Sequence, residues 1–192
     1  KTIIGKDSII REYATINRAS GEGNVTKVGE HCMIMTSAHV AHNCQIGDDV
    51  ILANLATLGG HVHVGKCAFI GGMSVFHQNI RIGDMAIVSG FSASRQDILP
   101  YSKCDGRPPY PRGLNVIAMK RRGIPLEIRT ATNKAFKLLI SNEYNTTQAI
   151  EKIKSEFEMN EYIEKMIDFI QTSKRGVVLK PIKNRNLIED AE

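Results

Sequence analysis

The sequence has no tryptophan, and aromatic residues are only 6% of it, so its 42% hydrophobic content rests mainly on aliphatic side chains. No stretch of about 18 apolar residues occurs, which argues against a membrane-spanning helix. The four cysteines, Cys32, Cys44, Cys67 and Cys104, include no CxxC pair. That spacing reads as buried or free thiols in a reducing, cytoplasmic setting rather than as disulfides or a zinc site. No signal peptide is recognisable at Lys1, and the chain does not begin with methionine. Neither sign of charge is in large excess. The net charge of +5 favours an acidic partner, and nothing points to nucleic acid. A length of 192 residues allows one ordinary domain or two small ones.

What the chain does have is a period of six. From Val28 it divides into twelve hexads ending at Leu99: VGEHCM, IMTSAH, VAHNCQ, IGDDVI, LANLAT, LGGHVH, VGKCAF, IGGMSV, FHQNIR, IGDMAI, VSGFSA and SRQDIL. The first position is aliphatic or Phe in eleven of them, Ser94 being the exception, and the fifth is small or aliphatic in all. Ile4, Ile10 and Ile16 extend the phase backwards, and the Gly-rich segment 19–24 reads as a loop pushed out of the wall. Neither a helical period of 3.6 nor a strand period of 2 explains this pattern. A side chain recurring every six residues can stack on itself at three corners of a prism, with eighteen residues to a turn. Small fifth-position residues fit near the corners. Gly29, Gly47, Gly65 and Gly83, at the second position, are expected to supply turn conformations. The expected fold is mainly β, a parallel β-helix over 1–105, with the left-handed sense of known hexapeptide-repeat proteins.

The grammar changes after Pro100. The Pro- and Gly-rich segment 101–115 reads as a linker. Three helical patterns follow, over 125–141, 147–157 and 161–172, with Pro125 suited to a first turn and Gly176 as a stop signal. Residues 106–192 are thus expected to form a linker and an α-helical C-terminal domain with a charged, loose end from Val177. A β-helix has open ends that invite pairing. The helical domain would cover one end. At the other the repeat is already running at Lys1, so further coils are expected upstream.

Five of the six histidines fall between His39 and His77. One coil after His42 is position 60, beside His61, and two coils after is position 78, beside His77. His42, His61 and His77 should therefore rise along one edge in successive coils, about 4.8 Å per coil. Taken singly, each is an ordinary exposed residue of a repeat surface. Together they suit general base catalysis or a three-histidine zinc site. Zinc is disfavoured, because no histidine pair has the expected spacing and the group contains Asn43 and Gln78, so no metal is expected.

The run Ser37-Ala38-His39-Val40-Ala41-His42-Asn43-Cys44, followed by Gly60-His61-Val62 and Gly71-Gly72-Met73-Ser74-Val75-Phe76-His77-Gln78, resembles the bacterial UDP-N-acetylglucosamine O-acyltransferase family, whose reaction starts lipid A synthesis. The run from Gly113 through Asn115 and Lys120-Arg121-Arg122 to Gly123 matches the same family. The resemblance extends to about Gly176. It implies transfer of a 3-hydroxyacyl chain from acyl carrier protein to the 3-hydroxyl of a UDP-amino sugar. His42 would be the general base and the amide of Gly60 the oxyanion donor. His39 and His61 would surround the sugar, and His77 and Gln78 would contact the nucleotide sugar. Asn115, Arg121 and Arg122 would reach the nucleotide or the phosphopantetheine arm across a subunit boundary of a homotrimer. Gly90 would be the acyl-chain ruler, nearly three coils from His42 along the axis, open enough for about fourteen carbons. No cofactor is implied beyond the carrier's phosphopantetheine.

The chain departs from the family pattern at Asn43, where the family has an acidic residue, at Ile117 in place of a glutamate, and at Pro108 in place of a histidine. A family Asp and Lys that touch substrate fall upstream of Lys1. A same-fold N-acyltransferase acting on a 3-amino sugar nucleotide, and a non-catalytic or zinc-binding repeat protein, are the alternative readings.

Overall fold

The computed structural model describes residues 1–180; the remainder of the expected charged end, 181–192, lies outside the described residues. Two-residue strands recur with the hexad and wind into three parallel sheets. The first sheet holds Thr2–Ile4, Thr26–Val28, Gln45–Ile46, His63–Val64, Arg81–Ile82, Asp97–Ile98 and Val177–Val178. The second runs from Ile9–Ile10 through Met33–Ile34, Ile51–Leu52, Phe69–Ile70 and Ile87–Val88 to Ser102–Gly106 and Pro109–Leu114. The third holds Thr15–Ile16, His39–Val40, Thr57–Leu58, Val75–Phe76 and Ala93–Ser94. Register confirms the eighteen-residue coil: Thr57 pairs with both His39 and Val75, and Phe69 with both Ile51 and Ile87.

First-position side chains point inward and stack, among them Ile34, Leu52, Ile70 and Val88 on the second sheet and Val40, Leu58 and Phe76 on the third, all buried. Fifth-position residues fill the corners. There Cys32 and Cys44 donate their thiols to the carbonyls of Gly47 and Gly59 in the next coil, both at 3.1 Å, and Ser74 donates its hydroxyl to Ser89 O at 3.0 Å. Thiols and hydroxyl thus satisfy buried carbonyls that would otherwise lack a partner. Burial pushes Cys32 up from the ordinary thiol range, and Cys44 and Cys104 up to about 11, so all three stay protonated donors.

The turn chemistry differs from the expectation. The left-handed residue of each corner is the fourth of its hexad and is not glycine, as at Asn43 (φ 63), His61 (φ 58) and Met73 (φ 58). Each such residue donates its N–H to the preceding coil, as His61 does to His42 O at 3.0 Å, which offsets the cost of that conformation. The second-position glycines serve space instead. A Cβ on Gly29 would meet Gly47 backbone at 2.6 Å, and one on Gly83 would meet Pro100 at 2.4 Å.

Two irregularities fall on one edge. The segment after Ile16 is longer by six residues than its counterparts, since Thr15 pairs with His39 rather than with a residue eighteen on. This is the expected loop. The last expected hexad is short by two, because Ile98 pairs with Ile82. Ser94, the exception to the pattern, marks that break.

The expected linker is instead an antiparallel hairpin of Ser102–Gly106 and Pro109–Leu114, turning through Arg107-Pro108 directly after Gly106 (φ 107). Its prolines are tolerated because they lie in the outermost strand of the sheet. Four helices follow among the described residues: α1 (Val116–Arg121), α2 (Leu126–Ile140), α3 (Thr146–Glu156) and α4 (Glu161–Gln171). The first was not expected from the sequence. Helix α3 starts on a capping box of Asn145 and Gln148, and Asn160 caps α4. Their cluster of Met119, Phe136, Leu139, Ile153, Ile163 and Met166 closes over Leu99, Tyr101 and Leu114 at one end of the β-helix. The chain then returns: Val177–Val178 pairs with Asp97–Ile98, with Val178 and Leu179 buried, so the start of the expected loose end is ordered. Arg81 fastens the two parts. It donates to buried Asp97 Oδ2 at 3.0 Å and to Phe169 O at 2.7 Å, and stacks on the Phe169 ring.

Candidate active site

The prism has three edges, and each collects a different chemistry. The edge after the third sheet carries His42, Gly60 and Gln78 at equivalent third positions, with Asn43, His61 and Asn79 at the fourth. The rise of histidines along one edge is therefore realised. His42 and His61 touch edge to face, ring centroids 5.2 Å apart. Gly60 is packed so closely under His42 that a Cβ there would meet the ring's Cε1 and Nε2 at 2.7 Å.

The hydrogen bonds around His42 settle its protonation pattern. Ser20 N–H donates to Asn43 Oδ1 at 3.0 Å, and Asn43 Nδ2 donates to Ser20 O at 3.1 Å, which identifies the amide oxygen. That oxygen lies 2.9 Å from His42 Nδ1, so Nδ1 must carry the proton and donate. In the neutral imidazole the lone pair is then on Nε2, the atom beside Gly60.

Gly60 also occupies a position whose N–H leaves the ladder. On the next edge the equivalent N–H groups of Glu30 and Lys66 donate to the carboxylates of Asp48 and Asp84, both at 3.1 Å. A third-position amide at a corner is thus placed to meet an oxyanion, and at Gly60 that amide lies next to a base.

His39 stands on the adjoining strand, half-buried, with Nδ1 at 2.7 Å from Thr15 Oγ1. His77 and Gln78 follow one coil beyond Gly60, both exposed. Arg175 Nη2 lies 3.0 Å from His77 Nδ1. An open groove of about 600 Å³ lies along Val75, Phe76, His77, Ala93, Arg95 and Pro108, largely apolar on its floor. Nearby His63 is held below the ordinary imidazole range, by desolvation first and then by the charge of Arg81.

Other expected residues lie elsewhere in the same chain. Arg122 pairs with Asp49 at 2.9 Å, on the edge after the first sheet, and Arg121 is exposed at the end of α1. Asn115 is buried as the N-cap of α1. Its Oδ1 accepts from Ala118 N–H and its Nδ2 donates to Met85 O at 2.8 Å. Gly90 belongs to the third edge, stacked on Gly72, so it is displaced from His42 across the third sheet as well as along the axis. The straight axial path expected from the sequence does not exist within one chain. Ser20 and Arg175 were not singled out from the sequence. Ser20 gave no signal beyond lying in the loop, and Arg175 only its place in a short basic run before Gly176.

Among the described residues, no group of three or more His, Cys, Asp or Glu is arranged to hold a metal, and no helix is long and apolar enough to cross a membrane. A β-helix of hexads, here with an imidazole beside a main-chain amide on one edge, defines a hexapeptide-repeat protein. Two family models match accordingly, the bacterial transferase hexapeptide (six repeats) over residues 26–60 and domain 2 of UDP-N-acetylglucosamine O-acyltransferase over residues 97–178. A relative from Aquifex aeolicus, named acyl-(acyl-carrier-protein)–UDP-N-acetylglucosamine O-acyltransferase, is 54% identical over 91% of this chain and 67% of its own length. One of the same name from Rippkaea orientalis is 46% identical over 95% of this chain and 66% of its own. The solved structure of UDP-N-acetylglucosamine acyltransferase from Campylobacter jejuni superposes with a TM-score of 0.85 at 35% identity, covering 93% of this chain and 70% of that one. The chain belongs to the UDP-N-acetylglucosamine O-acyltransferase family and shares its left-handed β-helix. It spans 61–66% of the length of several of the curated relatives it matches.

Proposed function

We propose that the protein transfers a 3-hydroxyacyl chain from acyl carrier protein to the 3-hydroxyl of UDP-N-acetylglucosamine, in the cytoplasm. The observation that carries this reading is the lone pair of His42 Nε2 held beside the backbone of Gly60. His42 takes the proton of the sugar hydroxyl as its oxygen attacks the thioester carbonyl. The developing oxyanion accepts from Gly60 N–H. The C–S bond then breaks, and the imidazolium returns its proton to the leaving thiolate of the phosphopantetheine arm. The hydroxyl is itself the nucleophile, so the reaction requires no acyl-enzyme and no cofactor beyond that arm.

His39 and His61 flank the sugar, and His77 and Gln78 contact the nucleotide sugar. Asn115, buried as the cap of α1 with both ends of its amide engaged, positions that helix rather than touching a substrate itself. Arg121 and Arg122 stand on another edge of their own prism. They reach this site only from a neighbouring copy, which makes the working unit a homotrimer with sites between subunits. Leu55 and Phe91, exposed one above and one below Met73 on the third edge, give an apolar strip for such packing. The acyl chain follows the apolar groove past Val75 towards Gly90. The carrier protein, which is acidic, docks on the basic face of Lys120, Arg121, Arg122, Arg129, Lys134 and Lys137. His42→Ala in the full-length protein should lower kcat about 10²–10⁴-fold with the fold intact. Retention of more than about a tenth of the rate would remove the assignment.

A further inference from the structure

The long loop of the first coil is exposed over 20–24, but it is not free. It turns back at the histidine edge and closes on Asn43, where the family pattern described above has an acid. The substitution matters because a carboxylate presents oxygen to the imidazole whichever way it is rotated. An amide presents oxygen one way and nitrogen the other. With oxygen toward the ring, Nδ1 carries the proton and Nε2 is free to accept one. With nitrogen toward the ring, Nδ1 becomes the acceptor, Nε2 is protonated, and His42 has no lone pair at the reacting side.

Ser20 removes that choice. Its N–H meets Asn43 Oδ1 at 3.0 Å and its carbonyl meets Asn43 Nδ2 at 3.1 Å. Turning the amide over would set donor against donor and acceptor against acceptor at a buried residue. The Ser20 hydroxyl donates to the same Oδ1 at 2.9 Å and stands 3.3 Å from His42 Nδ1. The main chain of Asn43 is anchored separately, its N–H donating to Thr26 Oγ1 at 2.8 Å, so only the side-chain amide remains to be oriented. The loop is itself braced, with Asn24 Nδ2 donating to Ser20 O at 2.8 Å.

We infer that the loop around Ser20 is a tautomer lock: Ser20, as a positioning residue acting through Asn43, holds His42 with its proton on Nδ1. This deepens the general-base reading of His42 and rests on it for its catalytic consequence, but the tautomer itself can be read independently of activity. Nitrogen-resolved NMR of the His42 ring in the unaltered protein should show the Nδ1–H form of the neutral imidazole. Ser20→Ala keeps the main-chain pair and should keep that form. Ser20→Pro deletes the N–H and leaves only the carbonyl to orient the amide, so the Nε2–H form should enter as a measurable fraction, lowering kcat about fivefold or more, a part of the 10²–10⁴-fold that a general base supplies, with KM little changed. In an Asn43→Asp background, where either rotation offers oxygen, Ser20→Pro should cost less than about threefold of that background's own rate.

An Nε2–H ring in the unaltered protein overturns the lock. So does a Ser20→Ala variant that switches tautomer, or a Ser20→Pro loss equal in both backgrounds. Should Ser20→Pro fail to fold, the unaltered protein and Ser20→Ala still decide. If the tautomer behaves as stated while His42→Ala stays active, the lock stands and the base assignment falls.

Discussion

Gly60→Ala tests the site's geometry without removing any functional group. The added methyl would meet His42 Cε1 and Nε2 at 2.7 Å, about 0.7 Å inside ordinary van der Waals contact. His42 cannot retreat freely, since Nδ1 is tied to Asn43 Oδ1 at 2.9 Å and the ring lies against His61. Gly60 is not in the left-handed region, so alanine brings no backbone strain there. The ring must swing until Nε2 has moved by something near 1 Å. A displacement of that size at a reacting atom costs on the order of 10²-fold, or about 2.7 kcal/mol in the barrier. The main-chain N–H of residue 60 remains. The assay is steady-state turnover with an acyl-carrier thioester and UDP-N-acetylglucosamine, run beside a melting curve. The expected result is a kcat lower by about 10²-fold, with KM and melting temperature little changed. A kcat within about threefold of the unaltered protein would refute the reasoning. A comparable loss accompanied by a collapse in melting temperature would show instead that the space serves the fold.

Gly90→Met should shift donor preference towards shorter chains by several carbons. Its backbone accepts a side chain with only a small adjustment, the new Cβ meeting Gly72 O at 3.1 Å, and each excluded methylene is worth about fourfold; equal loss on every chain length would withdraw the ruler. Cys44 and Cys104 are held up to about 11 against an ordinary 9.0, so they remain protonated in the fold well after the unfolded thiols ionise. Stability should be indifferent to them below pH 9 and fall between pH 9 and 11, each contributing up to about 1.4 kcal/mol per pH unit, with Cys44→Ala flattening the slope of urea midpoint against pH. An unchanged slope in that variant would contradict the burial argument.

The wall of the prism was legible because its signal is redundant. Ile34, Leu52, Ile70 and Val88 are buried on one sheet for the same reason, and a single exception such as Ser94 could be seen against them. The histidine edge was legible because eighteen residues convert to one coil, so His42, Gly60 and Gln78 could be aligned by counting. Ser20 could not be found that way. Its contact with Asn43 depends on how a loop without the period folds back, and no spacing encodes that. The left-handed corners were assigned to the wrong residues because propensity favours glycine there, whereas the N–H of His61 or Met73 gains a ladder bond that outweighs the preference. The hairpin was read as a linker because its prolines forbid a central strand, although an outermost strand accepts them. Val177 and Val178 were hidden among charged neighbours, and only the unpaired ladder of Asp97–Ile98 gives them a place.

The same accounting explains why function sits on the edges. In each hexad the first and fifth positions are committed to the core, the second, where it is glycine, to close approach between coils, and the sixth to the flat outer face. The third and fourth are left at the corner, where the side chain points outward and the third-position N–H is not used by the ladder. One edge spends these positions on His42, Gly60, His61 and Gln78. Another spends them on Asp48 and Lys66, which pair with each other, and on Asp49 and Asp84, which hold Arg122 and Lys165 of the helical part. The third places Leu55, Met73 and Phe91 there, with the polar Thr36, Ser37 and Asn54 beside them. The three edges can therefore vary independently on one scaffold, since a change at a corner position of one edge disturbs neither the core stack nor the other two edges. The loop bearing Ser20 follows the same logic: inserted at a corner, it adds a main-chain donor and acceptor beside His42 while the strands on either side, Thr15–Ile16 and Thr26–Val28, keep their pairing with the next coil.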